Sequence, residues 1–150
     1  MSLTFRGATP GDVAAVVALL RDDALGVARE TAPDASYIAA FDAMRAEAAN
    51  HLIVGDLNGR IVATYQITFI SGLSLRATRR AQIESVRVAS DLRGQRIGEA
   101  LFADAEARAR TAGCGLIQLT TNASRDRART FYERLGFTPS HIGYKRDLGQ

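Results

Sequence analysis

The run from Gln82 to Gly98 constrains the fold of this chain most strongly, because it predicts a strand, a loop and a helix in succession. Gly94 lies in the loop, and Gly98 lies where the helix begins. Unpaired backbone N–H groups and the helix dipole favour a bound anion at such a helix start. Arg93 and Arg96 oppose that dipole unless an anion is held between them. The spacing therefore predicts a phosphate-binding strand–loop–helix unit.

This reading of the loop has an alternative. Arg93 and Arg96 would then both face water, with Asp91 and Glu99 compensating their charge. Two better-known phosphate motifs are excluded by the residues themselves. The loop lacks the Gly-Lys-Ser/Thr of a P-loop, and it lacks the three glycines of a dinucleotide-binding fingerprint. Spacing alone thus indicates only a phosphate at a helix start.

Hydrophobic periodicity and turn residues predict the other elements. The predicted strands are 3–6, 52–54, 61–69, 82–88, 116–121 and 142–148, and the predicted helices are 13–20, one capped by Ser36, 96–112 and 126–135. Asn58-Gly59 predicts a tight antiparallel turn, and 21–33 stays unassigned. A strand–helix–strand unit in the second half predicts a parallel pair. We therefore expect one domain, 1–150, with a mixed α/β sheet.

Charge is distributed unevenly along the chain. Residues 1–75 contain five arginines and eight acidic residues, a net of −3, whereas residues 76–150 contain fourteen basic and eight acidic residues, a net of +6. A basic half suits an anionic ligand, either nucleic acid or a phosphorylated cofactor, unless the arginines only solvate helix surfaces. Nucleic acid is disfavoured because aromatic–basic interleaving, a helix-turn-helix and zinc spacing are all missing.

Other classes of protein are excluded on composition. No apolar run approaches the ~20 residues that a membrane span requires, and the first residues lack a secretory pattern. Cys114 is the single cysteine, which suits a reducing compartment, and we expect a cytoplasmic protein. His51 and His141 show no metal spacing, so no metal site is predicted.

Two motifs resemble signatures of the GCN5-related N-acetyltransferase (GNAT) superfamily. Arg93 to Gly98 is similar to the acetyl-CoA-binding pattern Arg/Gln-x-x-Gly-x-Gly/Ala, with Arg96 in place of the usual middle glycine. Asn122, followed by a helix ending in Phe131-Tyr132-Glu133-Arg134-Leu135-Gly136-Phe137, is similar to the second signature. The resemblance covers 82–137. It implies a mostly antiparallel sheet with a parallel, splayed strand pair and helices on both faces, the acyl-CoA N-acyltransferase fold.

The resemblance also implies acetyl-CoA as the acetyl donor. Its pantetheine arm would lie where strand 84–88 splays from strand 116–121, and its pyrophosphate would lie on the loop. The cofactor-binding residues implied are Val86, Arg87, Val88, Arg93, Gly94, Gln95, Arg96, Ile97, Gly98, Asn122, Ala128 and Arg129.

Direct acetyl transfer to an amine needs a base and an acid. Glu84 is the candidate base, because strict alternation would place it on one apolar face with Val86 and Val88, where a carboxylate is suited to accept a proton near neutral pH. The alternative is an exposed acid paired with Arg80 or Arg87.

Tyr132 is the candidate acid. Helical spacing with Ala128, Phe131 and Leu135 predicts that its side chain faces inward. The family places a tyrosine here beside the thioester sulfur, and the alternative is an ordinary core tyrosine.

The acceptor implied by the resemblance is the primary amine of a small molecule. Tyr37, Phe41, Gln66 and Arg79 are the candidate acceptor-binding residues, with Tyr65 and Phe69 as further candidates. The segment 118–148, with Leu119-Thr120-Thr121-Asn122, Ser140-His141 and Lys145–Leu148, is also similar to bacterial aminoalkylphosphonate N-acetyltransferases. An anionic amine would suit the cluster Arg76, Arg79 and Arg80, unless that cluster is a solvated loop.

Three other possibilities stay open. The chain would be a non-catalytic acetyl-CoA-binding regulatory module if it bound the donor without turnover. A second possibility is an enzyme that acetylates a protein or peptide amine. A homodimer through sheet edges or the C-terminal strand is a further expectation.

Overall fold

The computed structural model describes residues 2–149, which form one five-stranded sheet flanked by helices. The strands lie side by side in chain order: β1 (Leu3–Gly7), β2 (Asn50–Leu57), β3 (Arg60–Ile70), β4 (Arg80–Val88) and β5 (Leu116–Leu119). Strands β1 to β4 pair antiparallel, whereas β4 and β5 pair parallel. The mixed, mostly antiparallel sheet expected from the sequence is confirmed.

The helices are α1 (Val13–Leu20), α2 (Ala24–Arg29), α3 (Asp34–Ala46), α4 (Ser74–Ala77), α5 (Ile97–Thr111) and α6 (Asp126–Arg134). Helix α2 lies in the segment that the sequence left unassigned. Helix α4 is a single turn in which the last three residues have positive φ. Helix α3 begins before Ser36, with Pro33 as its N-cap, so the predicted Ser36 cap is wrong. Proline fixes its own φ and here starts the helix one turn earlier.

Helices cover both faces of the sheet. Helices α1 and α3 pack on one face, where Val13, Val17 and Phe41 form a small core. Helix α5 packs on the other face, where Leu101, Phe102 and Ala105 belong to the main core together with strand residues such as Ile83. Burial of these apolar side chains is the main force that holds the layers together. None of the helices within residues 2–149 is long and apolar enough to cross a membrane.

The turn between β2 and β3 forms as the sequence predicts. Asn58 and Gly59 take positive φ values of 52° and 94°, the left-handed conformation that a tight hairpin turn requires. The Gly59 N–H donates to Asp56 Oδ1 at 2.7 Å and fixes the turn.

Strand β4 contains a bulge that the sequence did not predict. Gln66 faces Glu84 and Thr64 faces Arg87, so β4 has one residue more than β3 over this stretch. Ser85 absorbs the extra residue with a φ of 54°. One inserted residue reverses which side chains face each side of a sheet. Glu84 therefore shares the α1–α3 face with Gln66, while Val86 and Val88 pack against the main core on the α5 face. The expectation that Glu84, Val86 and Val88 share one face is wrong.

The C-terminal segment is the other correction. The predicted strand 142–148 does not form, and 137–149 has no helix or strand. Ile142, Tyr144 and Leu148 are 80%, 92% and 90% exposed. Alternating apolar residues make a strand only where a hydrogen-bonding neighbour exists, and β5 pairs with β4 alone in the described part of the chain.

Candidate active site

A gap opens between the two parallel strands. Pairing of β4 with β5 runs from Arg80 and Leu116 to Ile83 and Leu119 and ends there. Strand β4 continues for five more residues to Val88, so residues 84–88 have no partner on the β5 side. Backbone groups of this stretch that face away from β3 are available to a ligand that lies along the strand. The Val86 carbonyl already accepts a hydrogen bond from Arg87 Nη1 at 2.9 Å.

The loop from Arg93 to Arg96 follows this unpaired stretch and leads into α5. Gly94 and Arg96 take φ values of 82° and 61°, and the loop is exposed. Asp91, which the alternative interpretation makes a compensating acid, instead pairs with Arg60 at 2.8 Å. Neither Arg93 nor Arg96 forms an ion pair within residues 2–149. The loop therefore presents two uncompensated guanidinium groups at the start of a fifteen-residue helix, which is the arrangement that attracts an anion.

Arg96 occupies a conformation that favours glycine. A left-handed backbone costs a residue with a Cβ about 1–2 kcal/mol, whereas glycine adopts it without that cost. We expect Arg96→Gly to be more stable than Arg96→Ala by about 1 kcal/mol, because both remove the charge but only glycine relieves the strain. Urea unfolding of the two variants checks this. An alanine variant as stable as the glycine variant would show that the backbone at Arg96 is not left-handed.

Two other residues of the loop and helix start are fixed by packing. Ile97 is 3% exposed, so its side chain anchors α5 in the core and only its backbone faces the loop. A Cβ added to Gly98 would lie 3.1 Å from Phe131 Cζ. Glycine at this position thus lets α6 approach the first turn of α5, a role that the sequence motif did not reveal.

Tyr132 lies in an aromatic cluster that joins α6 to α5. Its ring centroid is 5.5 Å from that of Phe102 and 6.1 Å from that of Phe137. Burial raises the pKa of Tyr132, and the nearby Arg87 and Arg125 guanidinium groups act in the opposite direction. Because the pKa stays above its ordinary value of about 10, the hydroxyl keeps its proton at neutral pH and is suited to donate it.

The remaining residues of the second signature lie around the start of α6. Asn122 Oδ1 accepts hydrogen bonds from the Ser124 N–H at 3.0 Å and the Ser124 hydroxyl at 2.7 Å, which orders the turn before the helix. Ala128 is half-buried and Arg129 is exposed, both on α6.

A cavity of about 120 Å³ lies between α1, α3 and the sheet. Three of the candidate acceptor-binding residues, Tyr37, Phe41 and Gln66, line it, and so does Ser85 of the bulge. Glu84 is exposed and lies beside the cavity, because its register partner Gln66 and its chain neighbour Ser85 both line the wall. The structure thus places the candidate base at an apolar cavity suited to a small molecule.

Two other candidates lie away from this cavity. Arg79 stands just before β4 and does not line the cavity. The Arg79 Nε donates to the Ala112 carbonyl and the Arg79 Nη1 to Ser71 Oγ, so this side chain anchors local structure. Tyr65 faces α5, where its hydroxyl donates to Asp104 at 2.6 Å, and burial with this carboxylate raises the pKa of Tyr65.

Sequence reasoning missed a charged cluster beside Tyr132. Arg125 Nη1 lies 2.8 Å and Arg87 Nε 3.5 Å from Asp23 Oδ2. Burial lowers the pKa of Arg87, and the neighbouring Arg125 lowers it further. Asp23 and Arg125 are 102 residues apart, and no local pattern signals a contact over that distance.

The cysteine and the two histidines have local contacts only. No cluster of three or more histidine, cysteine or acidic side chains suited to a metal exists within residues 2–149. Cys114 is half-buried against the main core. His51 packs near Phe69, and His141 forms a hydrogen bond with Ser140.

The chain is similar to a known protein family and to several solved structures. The family model described as "Acetyltransferase (GNAT) family" matches residues 14–137. A solved structure described as a transcriptional regulator from Bacillus halodurans C-125 is 43% identical, with a TM-score of 0.93 over 98% of this chain and 100% of that one. An acetyltransferase structure from Trypanosoma brucei is 26% identical, with a TM-score of 0.79 over 98% of this chain and 100% of that one.

A curated relative matches a shorter segment. It is an aminoalkylphosphonate N-acetyltransferase from Salmonella typhimurium, 42% identical over 67 residues. The match spans 45% of this chain and 44% of that protein.

Proposed function

The chain belongs to the acetyltransferase (GNAT) family, and on that premise we propose that it transfers an acetyl group from acetyl-CoA to the primary amine of a small molecule. The observation that carries the proposal is the unpaired stretch of β4, residues 84–88, leading directly into the cationic loop Arg93–Arg96. The stretch offers backbone hydrogen bonds to an extended arm, and the loop offers charge to phosphate groups.

The residues present fit this donor. Arg93 and Arg96 hold its phosphates together with the N–H groups at the start of α5. Val86 and Val88 would meet its arm through the backbone of the unpaired part of β4. Asn122, Ala128 and Arg129, in and before α6, are its further proposed contacts. The thioester of the donor supplies an activated acetyl group, so no nucleophilic residue is required.

Two residues move protons in the proposed reaction. The Glu84 carboxylate accepts a proton from the ammonium form of the acceptor, which leaves the neutral amine that attacks. As the amine nitrogen bonds to the acetyl carbon and the carbon–sulfur bond breaks, Tyr132 Oη donates a proton to the departing sulfur, because burial keeps its hydroxyl protonated at neutral pH. The acylated nitrogen then releases its extra proton, which restores the Tyr132 hydroxyl. The two residues come from different elements, Glu84 from β4 and Tyr132 from α6.

The acceptor is a small amine with an anionic group, such as an aminoalkylphosphonate. The mainly apolar cavity of about 120 Å³ beside Glu84 suits a compact molecule. The name of the Salmonella typhimurium relative supports the phosphonate, as does the net positive second half of the chain.

We expect kcat/KM for aminomethylphosphonate or aminoethylphosphonate to exceed that for polyamines and aminoglycosides by at least about 10-fold, since neither of these classes carries an anionic group. Amino acids, which carry a carboxylate in place of the phosphonate, complete the panel. Release of free thiol from acetyl-CoA across this panel measures the preference. Phosphonates no better than the other amines would refute the acceptor class while leaving the donor untouched.

A second candidate function is a regulatory module that binds acetyl-CoA without turnover. The Bacillus halodurans relative, described as a transcriptional regulator, supports it. Donor binding by titration calorimetry with no thiol release for any small amine would favour this module, or an enzyme that acetylates a protein or peptide amine.

A homodimer remains part of the proposal. Ile142, Tyr144 and Leu148 are exposed and alternate along the C-terminal segment. The outer edge of β5 is unpaired within residues 2–149. We propose that the C-terminal segment of one copy pairs with the β5 edge of a second copy.

A further inference from the structure

Three charged side chains from distant parts of the chain meet beside the proposed site. Asp23 caps α2, Arg87 lies on β4, and Arg125 precedes α6. Asp23 Oδ2 lies 2.8 Å from Arg125 Nη1 and 3.5 Å from Arg87 Nε, while its Oδ1 accepts the Gly26 N–H at 2.6 Å. The side chains of Arg87 and Arg125 are only 17% and 25% exposed.

The cluster has more positive charge and more donors than the protein satisfies. Two guanidinium groups share one carboxylate, and Arg29 adds a further positive charge close enough to act on Arg87. Arg125 Nη2 is buried and has no hydrogen-bond partner among residues 2–149. Arg87 Nη1 donates to the Val86 carbonyl at 2.9 Å, whereas the buried Arg87 Nε has only the ion pair with Asp23 at 3.5 Å and no hydrogen bond. Buried polar groups without a partner are rare and call for an explanation, such as a ligand that the site is built to hold.

The position of the cluster identifies the ligand it would take. Arg87 and Arg125 both act electrostatically on the Tyr132 hydroxyl. Arg87 also shares with Glu84 the face of β4 that carries α1 and α3, because their register partners Thr64 and Gln66 lie two residues apart. An anion held by the cluster would therefore lie on the face of β4 that carries Glu84 and close to the Tyr132 hydroxyl.

We propose that Arg87 and Arg125 bind the anionic group of the acceptor, a phosphonate, phosphate or carboxylate, and so place its amine beside Glu84. This inference rests on the acetyl transfer proposed above. Guanidinium groups recognise such anions through paired, charge-assisted hydrogen bonds. The cluster Arg76, Arg79 and Arg80 is the sequence-based candidate for this task, but within it Arg79 donates from Nε to Ala112 and from Nη1 to Ser71.

Steady-state kinetics of Arg125→Gln test the inference. We expect kcat/KM for aminomethylphosphonate to fall about 10- to 100-fold, the usual range for losing a charge-assisted hydrogen bond. With n-propylamine, which has no anion, the change should stay within about 3-fold. The control is Arg127→Gln, an exposed arginine on α6, which should leave both values unchanged.

The same experiment identifies which molecule supplies the anion. A rise in KM for acetyl-CoA, with the preference for phosphonate intact, would assign the cluster to a phosphate of the donor and overturn the inference. Equal losses on the phosphonate and on propylamine would also overturn it, because they indicate a structural role for Arg125.

Binding without turnover separates this inference from the proposed function. We expect methylphosphonate to bind the wild-type protein in titration calorimetry and to bind Arg125→Gln at least about 10-fold more weakly. Asp23→Asn keeps an oxygen for the Gly26 N–H but removes the competing charge, so it should bind methylphosphonate several-fold more tightly than the wild type. If these results hold but no amine is acetylated, the proposed function fails alone. If amines are acetylated but methylphosphonate does not bind, or Asp23→Asn binds it more weakly, the inference fails alone.

Discussion

Replacing Tyr132 by phenylalanine is expected to lower kcat about 10²-fold while leaving KM for acetyl-CoA within about 2-fold. The substitution removes one hydroxyl and keeps the ring in the aromatic cluster with Phe102 and Phe137. Because burial keeps that hydroxyl protonated, its loss removes the only proton that we assign to the departing sulfur. Steady-state thiol release, measured from pH 6 to 10, checks the prediction.

The control for Tyr132→Phe is the stability of the variant. Its unfolding midpoint in urea should match that of the wild type within error, since the ring packing is unchanged. An unchanged kcat would remove Tyr132 from the mechanism and leave it as a packing residue. A lowered kcat accompanied by loss of the folded state would make the loss structural.

Replacing Phe102 by alanine is expected to reduce the free energy of unfolding by about 3–5 kcal/mol. Phe102 is 6% exposed, and its ring lies 6.0, 5.5 and 5.7 Å from those of Phe131, Tyr132 and Phe137. The truncation leaves a cavity where α5 meets α6. It also removes three edge-to-face aromatic contacts, which carry energy beyond the area they bury. Thermal unfolding should shift down by roughly 10 °C for a chain of this size.

Two further variants test whether the loss of stability comes from the aromatic cluster. Val27→Ala, at a side chain 63% exposed on α2, should change the unfolding free energy by no more than about 0.5 kcal/mol. Phe102→Leu keeps an apolar side chain and should cost less than Phe102→Ala. A loss below about 1 kcal/mol for Phe102→Ala would mean that the aromatic cluster does not hold α6 in place.

The sequence predicted the elements whose signals are local. The hairpin at Asn58-Gly59 and the α5 start at Arg93–Gly98 formed as expected, because turn chemistry and helix termini depend on neighbouring residues. The parallel pair also followed from local patterns, since a strand–helix–strand order restricts the connection. Arg96 was identified as a departure from the motif, and its left-handed φ of 61° gives that departure a physical meaning.

The errors arose where structure depends on a distant partner or on one irregular residue. The bulge at Ser85 places Glu84 on the opposite face of the sheet from Val86 and Val88. Glycine often marks a positive φ in a sequence, whereas serine does not, so the bulge could not be predicted. The segment after Phe137 has the alternation of a strand but no neighbour to pair with in the described residues. The cluster of Asp23 with Arg125 joins segments 102 residues apart, so only the folded chain reveals it.

Thiol release from acetyl-CoA by the wild-type protein with aminomethylphosphonate, together with mass spectrometry of the amine, tests whether this site transfers an acetyl group to a small amine. We predict thiol release that requires both protein and amine, with the amine gaining the mass of one acetyl group in equal amount. Thiol release no faster than without protein, across the whole panel of amines, would rule out the proposed acetyl transfer.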